Sequence, residues 1–364
     1  MSVALAGTLA VAPAWASPTL IGPFQHVSTV SSTIPASANP RPGDGDINPY
    51  GVAVIDHTIG RLTAGDVLVS NFNNAANLQG TGRTIVEISP NGKQRTFARL
   101  PRLPGGTGLT TALSVLPHGF VAVGNLPTTD GTAATATAGG LAIVNRDGHL
   151  VATITAEDIN GPWDMTSVSF GDITELFVTN VLNGTVAAGG HTVHRGTVVR
   201  LILDVTHAGP RVLANTVIAS GFAERSDPAA LVVGPTGVGL APNGTLYIAD
   251  TAGNTIRAVP DALFRSNDAG TGYKLSHADS ALNGPLGLAV APGGDILTVN
   301  SGNGLLVDTA PTGTQVATIA LDRTVSAPGA SPGAGALFGL AVAPHKHGIY
   351  FVDDNTNQLD LLGP

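Results

Sequence analysis

The chain has 364 residues, with 47 glycines, 25 prolines, 12% charged residues and no cysteine. Together with 43% hydrophobic residues and a net charge of −8, this composition predicts a folded, turn-rich protein rather than a disordered chain. The acidic balance argues against nucleic acid as a partner, and the lack of cysteine excludes disulfides, cysteine-ligated zinc and thiol nucleophiles.

The first 16 residues form an apolar leader that ends in Ala14-Trp15-Ala16. This small-x-small ending is typical of a secretory cleavage site, so residues 1–16 are predicted to be a signal peptide and the protein to be secreted or periplasmic. The first lysine or arginine is Arg41, so the leader lacks the usual basic start, which leaves open a beginning farther upstream. Pro13 and the short apolar run argue against insertion into a membrane.

One pattern recurs six times after the leader: an apolar strand, a short turn, and a second apolar strand that ends in Asn or Asp. The second strands end at Asn71, Asn125, Asn180, Asp250, Asn300 and Asp353. Most of these ends lie roughly 50 residues apart, and one longer interval indicates an insertion between the third and fourth units.

Each unit continues with further strands, as in the first, where residues 84–88 lead through Asn91-Gly92 to residues 94–97. Four antiparallel strands that repeat at this spacing predict an all-β, six-bladed β-propeller, formed by residues 17–364 as a single domain. The last unit has only three strands. We expect a strand at about residues 24–32 to complete that blade, close the ring and remove an exposed edge.

The fourth unit carries a family resemblance. It runs from Pro235-Thr236-Gly237 through the Asn243-Gly244 turn to Asp250-Thr251 and Asn254-Thr255-Ile256-Arg257, and it resembles an NHL repeat. Residues 283–308 match this pattern well and the other units loosely; the whole chain resembles exported bacterial NHL-type propellers. Because propellers include lyases, lactonases and binding scaffolds, the resemblance implies the fold and leaves the chemistry open.

All inner strands of a propeller begin on one face, here named the strand-start face, and end on the other, the strand-end face. The long loops after the Asn and Asp positions are predicted on the strand-start face, so we expect function there. The side chains predicted to bind a small molecule, peptide or protein are Asn71, Asn73, Asn180, Asn300, Trp163 and Asp227. As an alternative, each repeated Asn or Asp shapes only its own turn.

Asp164 breaks the repeat, because other units carry Thr, Leu or Gly at the opening of the inner strand. A carboxylate near the propeller axis is costly unless it is paired, hydrated or bound to a cation. With Asp46, Asn48 and Asn283 it forms a candidate oxygen set for an axial cation, Ca²⁺ in preference to Zn²⁺. A lactonase-like propeller would add a Glu that this chain lacks at a matching place, and Asp164 as a turn cap is the alternative.

The insertion before the fourth unit carries Glu224-Arg225-Ser226-Asp227, a cluster of charge in a chain that has little. Arg225 and Glu224 are therefore candidates, with Asp164, for catalysis by a metal-supported hydrolase or lyase; the alternative for this cluster is a local ion pair that holds the loop. Because the metal set is incomplete, binding without catalysis is the preferred prediction. We expect the closed ring to be a monomer.

Overall fold

The computed structural model describes residues 20–35, 41, 43–276, 280–344 and 347–364. The predicted signal peptide, residues 1–16, and its cleavage site lie outside the described residues, so export stays a prediction. In the described ranges, no helix is long and apolar enough to cross a membrane.

The strands form six antiparallel sheets arranged as the blades of a propeller. After β1 (His26–Ser32), blade 1 contains β2 (Ile47–Val54), β3 (Val67–Asn73), β4 (Thr84–Ile88) and β5 (Gln94–Arg99). Blade 2 contains β6 (Leu109–Val115), β7 (Val121–Asn125), β8 (Gly140–Val144) and β9 (Leu150–Ile154). Blade 3 contains β10 (Pro162–Phe170), β11 (Ile173–Asn180), β12 (Val193–Thr206), β13 (Gly209–Asp227) and β14 (Leu231–Val233).

The remaining blades follow in chain order. Blade 4 contains β15 (Pro235–Leu240), β16 (Leu246–Asp250), β17 (Thr255–Val259) and β18 (Tyr273–Lys274). Blade 5 contains β19 (Pro285–Val290), β20 (Ile296–Asn300), β21 (Leu305–Thr309) and β22 (Gln315–Ala320). Blade 6 contains β23 (Leu337–Val342), β24 (Ile349–Asp353) and β25 (Gln358–Gly363). Short 3-10 turns lie at Pro117–Gly119, Ala133–Thr135 and Ala262–Phe264.

The N-terminal strand closes the ring. β1 pairs antiparallel with β25, from His26 opposite Gly363 to Ser32 opposite Gln358, so blade 6 has the order β1-β25-β24-β23. This confirms both the six-bladed propeller and its predicted closure. Blade 3 differs from the prediction because the insertion adds a fifth strand, β14, which pairs with the end of β13.

The inner strands approach one another so closely that some positions have no room for a side chain. A Cβ atom on Gly287 would overlap the carbonyl oxygen of Phe338, and one on Gly339 would overlap that of Tyr50. Buried hydroxyl groups then link the blades. Ser70 Oγ donates to the carbonyl oxygen of Thr110 at 2.7 Å, joining blades 1 and 2. Small residues on the innermost strands are thus a requirement of the ring.

Candidate functional site

A cluster of aromatic side chains fills the propeller axis near the strand-start face. Tyr50 of β2 stacks on Phe338 of β23 with a ring-centroid distance of 4.0 Å. It also meets Trp163 of β10 edge-on at 5.3 Å, and Phe72 stacks on its other side. Because Tyr50 and Trp163 belong to blades 1 and 3, their contact spans the axis. These four buried rings are named the aromatic plug.

The insertion covers the aromatic plug. Residues 231–233, which form β14, are buried and pack in the same hydrophobic cluster as the four rings, beside Leu126 and Val181. The side chain of Gln79 donates to the carbonyl oxygen of Pro228 at 2.8 Å, which ties the insertion to the loop of blade 1. The strand-start end of the channel is therefore closed by packed side chains and by a strand.

The other half of the axis is open. Residues 285–288 of β19 are buried and residues 289–290 are half-buried, and β2, β10 and β23 show the same change along their length. A cavity of about 230 Å³, named the channel cavity, lies in this half. Every blade contributes an apolar side chain to it, among them Val52, Leu113, Met165, Leu240, Val290 and Val342. The channel thus opens on the strand-end face, opposite to the face on which sequence reasoning expected function.

Asp164 lines the channel cavity and is only 8% exposed. One carboxyl oxygen accepts from the backbone N–H of Met165 at 2.8 Å, and the other accepts from that of Val238, on the next inner strand, at 3.1 Å. Burial raises the pKa of Asp164 to about 8, and the two backbone hydrogen bonds only partly oppose this shift. The carboxyl is therefore mainly protonated at neutral pH.

The strand registers explain why Asp164 is exceptional. In blades 1, 3, 4, 5 and 6, the inner strand leaves regular pairing for two residues. The first of the two belongs to the aromatic plug in blades 1, 3 and 6, and it is Thr236 in blade 4 and Leu286 in blade 5. The second is glycine in every one of these blades except blade 3, where it is Asp164. In blade 2 the position equivalent to Asp164, directly before the pairing of Leu113 with Val123, is Ala112.

The sequence pattern placed Thr, Leu or Gly at the positions equivalent to Asp164 in the other blades. The strand registers correct these positions to glycine and alanine. Aligning the six units on their second-strand Asn or Asp, with the irregular pair counted, would have found the correct positions. The same alignment identifies the apolar residues that follow, Val52, Met165 and their equivalents, as channel-lining positions that sequence reasoning missed.

The predicted ligand-binding residues are mostly buried, and their side chains bind their own protein. The Asn71 amide donates to the carbonyl oxygen of Thr33 at 3.0 Å, and the Asn300 amide donates to that of Ala281 at 2.8 Å. Asn73, Asn180 and Trp163 are likewise buried. Asn73 donates to a side chain of the adjoining loop, Asn180 donates to a carbonyl oxygen of its own strand, and Trp163 packs in the aromatic plug. This pattern favours the interpretation that repeated amides shape the loops, while their role toward a ligand stays a prediction.

The four predicted metal ligands have separate partners. Asp46 accepts from the backbone N–H of Arg83 at 2.8 Å, and burial raises its pKa to about 6. With its amide nitrogen facing Asp354, Asn48 donates to that carboxylate and accepts from Asn73. Asn283 lies against Gly302, and Asp164 bonds to Met165 and Val238.

A metal at the axis would need several of these groups to converge. Among the described residues, no group of three His, Cys, Asp or Glu side chains is placed to hold a metal ion. Because the four side chains also have separate partners, the donor set does not fit an axial cation of the lactonase kind.

The charged cluster of the insertion lies at the end of β13 and contains a local ion pair. Arg225 Nη1 lies 3.4 Å from Asp227 Oδ2, and Asp227 also accepts from the backbone N–H of Ala229 at 3.0 Å. Glu224 is fully buried, and this burial raises its pKa to about 7 against the opposing effects of Thr185 and Arg195. These contacts match the local ion-pair alternative; the predicted catalytic roles of Glu224 and Arg225 stay predictions.

No protein-family profile and no curated protein sequence matches the chain. Solved structures do match. One is the virginiamycin B lyase from Staphylococcus aureus, with a TM-score of 0.53 and 14% identity over 89% of this chain and 97% of the lyase. A second is a gluconolactonase from Xanthomonas campestris, with a TM-score of 0.53 and 14% identity over 96% of this chain and 98% of that protein.

A third similar structure is the calcium-binding protein regucalcin from Agrobacterium tumefaciens, with a TM-score of 0.55 and 14% identity over 94% of both chains. Likeness at this level of identity shows the six-bladed propeller fold alone. The finer resemblance of residues 235–257 to an NHL repeat stays a prediction.

Proposed function

We propose that this propeller is a binding protein that holds a small neutral molecule in the channel cavity, with the Asp164 side chain as its polar anchor. The observation that carries the proposal is Asp164 itself, a buried carboxyl that lines the cavity at a position where other blades have glycine or alanine. The proposal narrows the sequence-based prediction to a small molecule and moves its site to the strand-end face.

The size and lining of the channel cavity favour a compact ligand that has both apolar and polar parts. Its volume of about 230 Å³ is near the lower end of small-molecule sites, which is too little for a folded partner or a peptide. Val52, Leu240 and Val290 are among the apolar side chains that would exclude water from such a ligand. Thr111 and Thr166 join Asp164 as polar side chains of the lining, and a few polar groups among apolar side chains are the usual arrangement for fixing a ligand's orientation.

The protonation state of Asp164 defines the polar part of the ligand. A protonated carboxyl has an O–H donor, and in the described contacts both oxygens only accept, from Met165 and Val238. The proton therefore has no acceptor among the described residues. A ligand oxygen, such as a carbonyl or ether oxygen, would supply one, whereas a charged ligand would enter an apolar cavity without a counter-ion.

Binding without turnover agrees with the geometry around the cavity. The similar structures include a lyase and a gluconolactonase, but this chain lacks a converging metal set in its described residues. The other two catalytic candidates, Glu224 and Arg225, lie at the end of β13, next to the strand that covers the opposite end of the channel.

The test uses δ-valerolactone, a small neutral carbonyl compound, and ligand-observed NMR. We expect saturation transfer to the probe at neutral pH, hydrolysis no faster than in buffer alone, and weaker binding as the pH rises above about 8, where Asp164 ionises. Val290→Trp fills the cavity and should abolish the signal. Val316→Trp, an exposed position on β22, the outer strand of the same blade, is the matched control and should not.

Asp164→Asn sharpens the same experiment, because an amide keeps the shape and a donor but has no ionisation in this range. Its binding should be independent of pH between neutral and alkaline conditions. The proposal is contradicted if the probe binds equally well to Val290→Trp, if it is hydrolysed at the wild-type channel, or if dialysed protein holds one calcium or zinc ion that Asp164→Asn loses.

A further inference from the structure

A second candidate site lies on the strand-end face, where turns of blades 1, 2 and 3 meet. Two hollows flank His118, and neither shares a lining residue with the channel cavity. The large hollow, of about 590 Å³, is lined by Ile59, Val115, Leu116 and Pro117 together with Asp56 and His57. The small hollow, of about 240 Å³, is lined by His118, Phe120, Arg146, Asp147, Val151 and His207. Together they are named the histidine groove.

His118 connects the two hollows and is held in an unusual conformation. Its backbone φ is 62°, in the left-handed region that non-glycine residues rarely adopt. Its Nε2 lies 2.9 Å from Asp172 Oδ1. Because a carboxylate oxygen only accepts, Nε2 carries the hydrogen and donates it, and Nδ1 takes no part in this hydrogen bond. Its ring lies against the His207 ring, with a centroid distance of 4.0 Å. A strained residue fixed by its neighbours is typical of a functional position.

Arg146 gives the small hollow a positive charge. The backbone carbonyl oxygen of Arg146 accepts from the N–H of Arg61 at 2.9 Å, which fixes its place in the turn. Its guanidinium has no carboxylate within ion-pair distance among the described residues, although Asp147 is adjacent in sequence. Arg61, in contrast, uses its guanidinium on the backbone carbonyl oxygens of Thr96, Phe97 and Asp147. Arg146 is thus a cation with free donors beside two imidazole rings.

We propose that the histidine groove binds an organic carboxylate with a hydrocarbon body. The carboxylate lies in the small hollow, where Arg146 and His207 donate to it, because charge-assisted hydrogen bonds to an anion are the strongest that these side chains can form. The hydrocarbon body passes His118 and occupies the large hollow against Ile59 and Leu116. A bare inorganic anion would leave the large apolar hollow unused.

An NMR titration of the full chain with hexanoate tests the proposal, with 1-hexanol and acetate as probes that lack the charge or the hydrocarbon body. We expect hexanoate to bind more tightly than either. Arg146→Gln should weaken hexanoate about tenfold, the effect of one lost charge-assisted hydrogen bond. Arg102→Gln removes another exposed arginine, from a hollow that includes Asn74 and Leu78 of the blade 1 loop, and should have no effect.

Two further variants separate binding from folding. Ile59→Ser should weaken hexanoate but not acetate, since only hexanoate reaches the large hollow. His118→Gly removes the strained side chain, so its melting temperature should stay unchanged or rise while hexanoate binding falls. His149→Gln, at an exposed position in the neighbouring turn, is the matched control and should leave both properties unchanged.

Three results would overturn the proposal. Equal binding of 1-hexanol and hexanoate would remove the role of the charge. Equal losses in Arg102→Gln and Arg146→Gln would show non-specific attraction to any arginine. Loss of hexanoate binding in Val290→Trp would place the ligand in the channel cavity instead, since the histidine groove does not include that residue.

Discussion

The two halves of the propeller axis are built from the same six inner strands, yet one is sealed and the other is open. In the strand-start half, Tyr50, Trp163 and Phe338 meet across the axis under the cover of β14. In the strand-end half, smaller side chains leave the channel cavity, and the one carboxyl on its wall is Asp164. The comparison teaches that the channel is closed by side chains at the two consecutive positions where the inner strands leave regular pairing, and not by a difference in the backbone.

Breaking the sealed half should have the largest effect. Trp163→Ala removes a fully buried ring that touches Tyr50 and Phe72, so we expect a loss of about 3–5 kcal/mol in the free energy of unfolding. Urea denaturation measures it. Phe170→Ala on the same strand is the control, because that ring is 60% exposed and its removal should change stability by no more than about 0.5 kcal/mol. Similar losses in the two variants would mean that the aromatic plug does not hold the ring together.

Asp164, in the open half, should make the free energy of unfolding depend on pH. Because the folded pKa of Asp164, about 8, lies above the reference value of 3.8, the folded state binds this proton more tightly than the unfolded state. Its contribution is greatest in acid and is lost as the pH rises toward 8. Relative to Asp164→Asn, the wild type should lose about 2–3 kcal/mol between about pH 5 and pH 7.

The control for this profile is Asp261→Asn, which changes an exposed aspartate in a turn of blade 4 and should leave the slope unchanged. Guanidinium denaturation at each pH gives the free energies. Parallel profiles for the wild type and Asp164→Asn would show that Asp164 is ionised at neutral pH.

Close approach of the inner strands predicts an intermediate effect. Gly287→Ala would press a methyl group onto the carbonyl oxygen of Phe338, and we expect a loss of about 1–3 kcal/mol. Gly293→Ala places the same methyl group in the turn of the same blade with no atom within 4 Å, and its effect on thermal unfolding should be small. If the two variants unfold at the same temperature, the inner strands are packed less closely than the structure indicates.

The smallest effect is expected at the hydroxyl links between blades. Ser70→Ala leaves the carbonyl oxygen of Thr110 and the N–H of Gly51 without their buried partner, which should lower stability by about 1–2 kcal/mol. Ser266→Ala, at an exposed position in the loop before β18, is the control and should be nearly neutral. Thermal unfolding distinguishes them, and an undisturbed melt in Ser70→Ala would show that water replaces the link.

Much of the fold follows from the sequence because its signals are local. The Asn91-Gly92 turn and the alternation of short apolar strands specify the blade, and the missing outer strand of the last unit predicts the pairing of β1 with β25. The open end of the channel does not follow in this way. It depends on contacts between Tyr50, Trp163 and Phe338, which lie far apart in sequence.

The candidate site could be predicted only in part, for a related reason. Asp164 was identified because it breaks the repeat, but its neighbours depend on a two-residue irregularity in strand register that strand patterns do not reveal. The amides of Asn71 and Asn300 look like ligand-binding groups in the sequence, whereas the fold supplies them with backbone partners. His118 gave no repeat signal, since its significance lies in its backbone conformation and in the approach of His207 from another blade.

The most direct test uses the absence of cysteine from the chain. Leu286→Cys and Val290→Cys place single thiols on the same strand, β19, one beside the aromatic plug and one in the channel cavity. In the folded protein, a small thiol reagent should label position 290 rapidly and position 286 only at the rate of unfolding. Rapid labelling at 286 together with protection at 290 would contradict the account, because the channel would then open on the opposite face.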